Sequence, residues 1–184
     1  MRIGITYLYT IFRYGYPHTL DDALKSIPEV RKLGFRYLEM EGLGPRMLKA
    51  VYANQARVAR VLDDNGVHVH NFCVVDPEMV STRRERQDRA LEGFKMGAEI
   101  AARLGSETLH LASYAPPVRY LKDRPYQLGK GGYRFPEAGA VRIPRDFRWE
   151  CVWDALVRCC RFCADVAAGY GKTVIMGMQL PQSF

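Results

Sequence analysis

At 184 residues, with 48% hydrophobic and 26% charged residues, the chain is long enough for one sizeable core, and a chain disordered throughout is excluded. No apolar run approaches the roughly 20 residues of a membrane span, and the N-terminus lacks the features of a signal peptide, so we expect a cytoplasmic protein. Five cysteines, an odd number, do not indicate a disulfide framework in a chain of this length.

The formal net charge of +7 comes mainly from arginines that are dispersed along the chain. Guanidinium groups match the phosphate oxygens of nucleic acids and of anionic sugar phosphates. Dispersed charge is also typical of solvated helix faces. The charge alone leaves all three interpretations open.

Short apolar segments alternate along the chain with segments of helical periodicity. A strand is predicted at Arg2–Tyr7 and a loop at Tyr14–His18, after which Thr19 is predicted to cap a helix that ends at Gly34. Further strands are predicted at Phe35–Met40, Val67–Val75, Thr108–Ala112 and Thr173–Met178, and further helices at Met47–Asn65, Arg83–Leu104 and Trp149–Gly169. A segment rich in Pro, Gly, Tyr and Arg, Ser113–Arg148, interrupts this alternation and has the length of a functional loop.

Strands that alternate with long helices predict a parallel sheet, either a doubly wound open sheet or a (β/α)8 barrel. Neither a GxGxxG motif nor a P-loop follows the first strand, which favours the barrel. A closed barrel takes about 250 residues. The sequence therefore predicts an incomplete barrel of about five of the eight strands.

Polar residues on the second predicted strand mark a candidate site. Glu39 and Glu41 share one face of the strand with Tyr37, while Leu38 and Met40 point the other way. In a barrel the polar face is the inner one, where a carboxylate can reach a substrate hydroxyl. The alternative is a salt bridge to an Arg or His of a neighbouring strand.

The third predicted strand, VHVHNFCVV, carries two histidines. Strict alternation places His68, His70 and Phe72 on one face, opposite Val67 and Val69. His70 is nearer the carboxyl end of the strand and is the better site candidate, whereas we interpret His68 as an interior histidine.

The last predicted helix has an apolar stripe and several cysteines. Trp153, Leu156, Val157, Cys160 and Ala164 are predicted to face the core. Cysteines on one helix are not typical of a zinc site, so we expect Cys151, Cys159, Cys160 and Cys163 to pack in the core instead.

Five segments carry a family resemblance: MRIGIT, TLDDALKSIPEVRKLGFRYLEMEG, LDDNGVHVHNFCV, ALEGFKMGAEIAARLGSETLHLAS and CVWDALVRCCRFCADVAAGYGKTVIM. In this order they resemble the xylose isomerase-like TIM barrels, which include sugar phosphate isomerases/epimerases and type IV apurinic endonucleases. The resemblance covers nearly all of the chain but only the first five strands of eight. It implies one barrel domain over residues 1–184, truncated at its C-terminal side.

The resemblance also implies a divalent metal, Mn, Mg or Zn, that polarises the sugar oxygens while paired carboxylates move a proton next to a carbonyl. In the sugar-handling branch the ligands are a Glu, an Asp, a His and a Glu at the ends of strands five to eight. The first falls on Gly177, which offers no ligand, and Gln179 is the candidate that remains; the other three have no counterpart in this chain.

The residues that this resemblance assigns to a site are of two kinds. Glu39, Glu41 and His70 are the candidate catalytic residues. His110, Tyr114 and Tyr126 are the candidate substrate-binding residues, the two tyrosines within the segment that is predicted to be a lid over the barrel. In the endonuclease branch, His70 and His110 fall near zinc-ligand positions.

The leading functional prediction is a sugar phosphate isomerase/epimerase-like protein that binds a small sugar or polyol rather than nucleic acid or a membrane. The alternatives are an apurinic-endonuclease-like enzyme and a non-catalytic remnant or subunit. Because a half-barrel exposes strand edges, we expect completion by self-association or by a partner chain.

Overall fold

The computed structural model describes residues 2–111, 119–120, 127–129, 132–134 and 141–177. Helices and strands alternate along most of these residues. The strands are β1 (Gly4–Ile5), β2 (Tyr37–Leu43), β3 (His68–Val75), β4 (Thr108–Leu111), β5 (Arg119–Tyr120), β6 (Gln127–Gly129), β7 (Gly132–Arg134), β8 (Val141–Arg142) and β9 (Thr173–Met176). The helices are α1 (Leu8–Tyr14), α2 (Leu20–Lys32), α3 (Gly44–Ala53), α4 (Gln55–Asn65), α5 (Arg84–Arg103) and α6 (Trp149–Gly169), with a 3-10 helix at Pro77–Val80.

Five strands form one parallel sheet in the order β1-β2-β3-β4-β9, which confirms the predicted parallel α/β fold. Each strand follows its neighbour in the chain through at least one helix, as in a barrel. The strands β5 and β8, and separately β6 and β7, form two small antiparallel pairs within the long segment between β4 and α6. The fold is therefore a partial barrel of five parallel strands.

The hydrophobic core lies between one face of this sheet and the helices. Apolar side chains of β2, β3 and β4 pack there against α2, α3, α4 and α5, and α6 packs against α5 and β9. The strand residues of this face are Leu38, Met40, Val69, Phe72, Val74, Leu109 and Leu111, all at most 4% exposed. The opposite face, here called the inner face, is left to polar side chains.

Helix α2 begins as the sequence predicts. Thr19 Oγ1 accepts a hydrogen bond from Asp22 N at 3.2 Å, and Asp22 Oδ2 accepts one from Thr19 N at 3.0 Å, so the two residues form a capping box. The helix continues through Pro28 to Lys32. The cap fixes the point at which the loop before α2 ends.

Two other predicted boundaries are wrong. The helix predicted at 47–65 is two helices, because Asn54 leaves the helical conformation and its Nδ2 donates instead to Ala50 O at 2.8 Å. The first strand is confined to Gly4–Ile5, and α1 occupies residues 8–13, to which no element was assigned, together with Tyr14 of the predicted loop.

The strand β3 contains a bulge at His70. Leu38 pairs with Val69, but the next residue of β2, Glu39, pairs with Asn71. Beyond the bulge the alternation of β3 is inverted, so Phe72 lies in the core. The prediction that Phe72 shares a face with His68 and His70 is therefore wrong.

Helix α6 buries a different stripe from the predicted one. The side chains in the core are Val152, Ala155, Cys159, Cys163 and Ala167. These are mostly small, which suits the close packing of α6 against α5 and the 3-10 helix. The predicted stripe lies one residue along, and its Trp153 is 56% exposed. The core positions of Cys159 and Cys163 are confirmed, whereas Cys160 is only half-buried and Cys151 is exposed, so the prediction is wrong for Cys151.

None of the helices in the described part of the chain is long and apolar enough to cross a lipid bilayer.

Candidate active site

Polar side chains cross the inner face of the sheet in two rows, which the parallel register defines. The lower row is Glu39, Asn71, Thr108 and Thr173, and the upper row is Glu41, Cys73, His110 and Ile175. We use the name inner-face cluster for Glu39, Glu41, Asn71, Thr108 and His110, together with His18 from the loop between α1 and α2. The prediction that Glu39 and Glu41 share a face is confirmed by this register.

Glu39 is held by a hydrogen-bonded chain that crosses three strands. Asn71 Nδ2 donates to Glu39 Oε2, and Thr108 Oγ1 donates to Asn71 Oδ1 at 2.7 Å. His110 approaches from the upper row, and its Nδ1 lies 3.7 Å from Glu39 Oε2. The Glu39 and His110 side chains are 13% and 18% exposed, so both are accessible to a small ligand.

Glu41 is buried against His18. His18 Nδ1 lies 3.3 Å from Glu41 Oε1, and both side chains are 2% exposed. Burial, together with the negative charge of Glu39, raises the pKa of Glu41 to about 8, and burial lowers the pKa of His18. At neutral pH the pair is therefore predominantly uncharged, and Glu41 retains its proton.

Cys73 lies in the same row as Glu41 and His110 and is fully buried. Burial and the nearby carboxylates of Glu41 and Glu39 raise the pKa of its thiol well above the usual range. A thiol that stays protonated is a poor nucleophile, so Cys73 contributes packing.

Gly177 follows β9 and continues its pairing, since Gly177 N donates to Leu111 O at 3.0 Å. A Cβ at this position would overlap with Nε2 of His110 and would lie 3.1 Å from its Cε1. The imidazole of His110 therefore lies where the side chain of any other residue at position 177 would begin.

This geometry bears on the predicted metal. Residue 177 carries no donor atom, and His110 occupies the adjacent space. In residues 2–111 and 141–177, no three His, Cys, Asp or Glu side chains are placed to hold a metal ion. The described donor set does not fit a divalent metal at the end of β9. Gln179, the other predicted ligand, lies outside the described residues.

His70 is separated from the two glutamates. With Arg2, Gly4, Tyr37 and Glu107 it lines an open pocket of about 200 Å³, here called the amino-edge pocket. Arg2 pairs there with Glu107 and lies over the Tyr37 ring, 5.8 Å from its centroid. The His70 ring lies beside Gly4 of β1 and meets the Tyr37 ring edge-on, with 6.4 Å between the ring centroids.

Tyr114 and Tyr126 lie outside the described residues, and their predicted roles stay predictions. The sequence interpretation did not include His18 or Asn71. A signal for His18 was available, because its loop follows the first strand and such loops carry site residues in parallel α/β proteins. Asn71 had no such signal, because only the bulge turns it to the inner face.

Comparison with known proteins identifies the fold. The family model described as the xylose isomerase-like TIM barrel matches residues 27–177. The solved structure of 3-keto-D-glucoside 4-epimerase from E. coli is similar, with a TM-score of 0.62 at 16% identity over 96% of this chain and 55% of that one.

Two further solved structures are similar. D-psicose 3-epimerase from Clostridium cellulolyticum H10 has a TM-score of 0.62 at 17% identity, over 95% of this chain and 51% of that one. A xylose isomerase-like TIM barrel protein from Mycobacterium smegmatis in complex with magnesium has a TM-score of 0.65 at 14% identity, over 98% and 56%.

The chain thus spans about half the length of the solved structures that it matches. A comparison with the sequences of curated proteins gave no significant match. The matched residues include the strands β2, β3, β4 and β9 and the helices between them. The chain belongs to the xylose isomerase-like TIM barrel family.

Proposed function

We propose that the protein is a sugar isomerase/epimerase-like protein that moves a proton next to the carbonyl of a sugar or polyol derivative. Its family and the epimerases among its structural neighbours support this chemistry. The observation that carries the proposal is the pair of glutamates on one strand in different environments. Glu39 is partly exposed and accepts a hydrogen bond from Asn71, whereas Glu41 is buried and keeps its proton at neutral pH.

The exposed fractions of Glu39, His110 and Glu41 indicate which of these side chains a sugar can reach. A sugar on the inner face contacts Glu39 and His110, which are partly exposed, whereas Glu41 is covered by His18. Proton transfer requires a base within hydrogen-bond reach of the reacting carbon, and Glu39 and His110 meet this requirement among the described residues of the cluster. Glu41 places a protonated carboxyl group next to Glu39 and His110.

The other parts of the prediction remain proposals. Tyr114 and Tyr126 bind the sugar from the segment that follows β4, and the many arginines suit a phosphorylated sugar. A divalent metal, with Gln179 as its ligand, is an expectation from the family. No step of the proposed reaction depends on the metal.

Completion of the barrel is the second part of the proposal. Among the described strands of the sheet, β1 and β9 are the outer ones, and Ile175 and Met176 of β9 are 41% and 42% exposed. We propose that further strands, from a second copy or from a partner chain, cover this edge. Size-exclusion chromatography with light scattering should show association, and a stable monomer would contradict it.

Proton transfer is testable without knowing the natural substrate. A panel of ketoses, aldoses and their phosphates is incubated with the protein in D2O, with EDTA or with Mn²⁺ or Mg²⁺, and deuterium at the carbon next to the carbonyl is measured by NMR. We expect incorporation by the wild type and a loss of about 100-fold or more in Glu39→Gln.

The matched control is Glu107→Gln, the same substitution in the amino-edge pocket, which should leave the rate unchanged. An absence of incorporation with every sugar, with and without metal, would contradict the proposed function.

A further inference from the structure

The hydrogen bonds that join Thr108, Asn71 and Glu39 all run in one direction, from donor to acceptor. Because the Thr108 hydroxyl donates to Asn71 Oδ1, the amide nitrogen of Asn71 faces Glu39 and donates to Oε2. Asn71 is 2% exposed, so it has little freedom to turn. Glu39 is thereby held as an acceptor, with Oε2 directed toward β3 and β4.

His110 meets the same oxygen. Its Nδ1 is buried, lies 3.7 Å from Glu39 Oε2 and has no hydrogen-bond partner among the residues that the structure describes. A carboxylate attracts an N–H and repels a nitrogen lone pair. The neutral imidazole that fits this place therefore carries its proton on Nδ1, which leaves the lone pair on Nε2.

Because Gly177 has no side chain, it leaves space for the Nε2 end of the His110 ring. Nε2 and Cε1 lie against the side of Gly177 from which a Cβ would project. This point is at the carboxyl end of β9, the end of a parallel sheet where ligands bind in barrel folds. Glycine at 177 thus lets the unprotonated nitrogen lie at the ligand-binding edge.

We propose that His110 is the base of the reaction, that Glu39 is a positioning residue acting through Nδ1, and that Gly177 is the residue that seats the ring. This assignment rests on the proposed function. Nε2 takes the proton from the carbon next to the carbonyl, the electron pair of the C–H bond forms the enediolate, and negative charge moves to the carbonyl oxygen. Return of a proton from the imidazolium to the carbon restores the carbonyl and the neutral base.

The tautomer of His110 is measured first, because it does not depend on a substrate. Long-range ¹H–¹⁵N spectra of the labelled protein at pH 8 contain signals of four histidines, and the signal lost in His110→Gln identifies residue 110. We expect the Nδ1–H form in the wild type. In Glu39→Gln the oxygen that accepts from Asn71 is also the atom that faces His110 Nδ1, so the Nδ1–H form should persist. Glu39→Leu removes this acceptor, and the tautomer should then change to Nε2–H.

The role of Gly177 in placing the His110 ring is tested with a matched pair of glycine substitutions. In Gly177→Ala the new methyl displaces the ring, so we expect changed His110 signals and at least a tenfold loss of deuterium incorporation. Gly169→Ala, at the end of α6, meets no atom within 4 Å and should change neither. Unchanged signals of the other three histidines exclude general unfolding as the cause.

The outcomes separate this inference from the proposed function. Incorporation that falls about 100-fold in His110→Gln supports both. Incorporation that survives in His110→Gln, or a wild-type His110 in the Nε2–H form, overturns the role of His110 and leaves the proposed function intact. No incorporation by the wild type overturns both.

Discussion

The inner-face cluster and the amino-edge pocket lie on the same sheet and contain the same kinds of groups, but they differ in burial. In the pocket, Arg2 and Glu107 pair with side chains that are 63% and 58% exposed. In the cluster, His18 and Glu41 lie together at 2% exposure. Water screens the first pair and is excluded from the second.

This difference in burial indicates in which region the ionisable groups reduce the stability of the fold. A screened surface pair contributes little to stability and has little effect on protonation. A buried carboxyl group destabilises the fold whenever it ionises, and a chain retains such groups mainly where they serve a purpose. This contrast supports the proposal that the active site lies at the cluster and not at the pocket.

The largest effect that separates the two regions is the pH dependence of stability due to Glu41. Its pKa is about 8 in the folded protein and near 4.5 when unfolded, so between these values the folded state holds a proton that the unfolded state has lost. Stability should fall as pH rises through this window, by roughly 4 kcal/mol between pH 5 and pH 8.

Urea unfolding of the wild type and of Glu41→Gln across this range measures the effect. The lowered pKa of His18 acts in the opposite direction, since it raises stability with pH up to about 6.5. The difference between the two proteins isolates Glu41, because both contain His18. Equal slopes in the two proteins would contradict the burial of an ionisable Glu41.

A smaller effect is expected from Asn71→Leu, which keeps the shape of the side chain but removes its polar atoms. Glu39 loses the donor to its carboxylate, and Thr108 loses the nearer of its two acceptors and keeps His70 O at 3.3 Å, at a cost of about 2 kcal/mol. Chemical denaturation measures this loss. A variant as stable as the wild type would show that the hydrogen-bonded chain is not formed.

Thr108→Val tests the same hydrogen-bonded chain and should cause a smaller loss of stability. The hydroxyl that orients the Asn71 amide is replaced by a methyl group, and we expect a loss of about 1 kcal/mol. Because Glu39 keeps its donor, the loss should be smaller than in Asn71→Leu. The reverse order of the two variants would contradict the direction assigned to the chain.

The smallest effect is expected in the amino-edge pocket. Glu107→Gln removes one partner of an exposed pair, so the denaturation midpoint should not change measurably in 0.15 M salt. A clear loss of stability would show that this pair is structural and would remove the contrast between the two regions.

The alternation of strands and helices could be predicted from the sequence because apolar period and helix caps are local features. Thr19 caps the start of α2, as its place before the helical segment predicts. The shared face of Glu39 and Glu41 follows from the period of a strand, and β2 keeps that period. These features needed no knowledge of the neighbouring elements.

The site itself required the tertiary structure. The bulge at His70 arises where β3 pairs with β2, and it turns Asn71 inward and Phe72 outward against the expected alternation. The contact of His18 with Glu41 depends on how the loop before α2 lies over the sheet. The buried stripe of α6 depends on the close approach of α5, which selects small residues over Trp153.

The exposed side of α6 has a spectroscopic consequence. The two tryptophans of the chain, Trp149 and Trp153, are each 56% exposed and lie one helical turn apart. Their fluorescence in the folded protein should resemble that of indole in water and should change little on unfolding. A chain that covers this side of α6 would shift the emission to shorter wavelength, so the two tryptophans are an optical reporter of binding to α6.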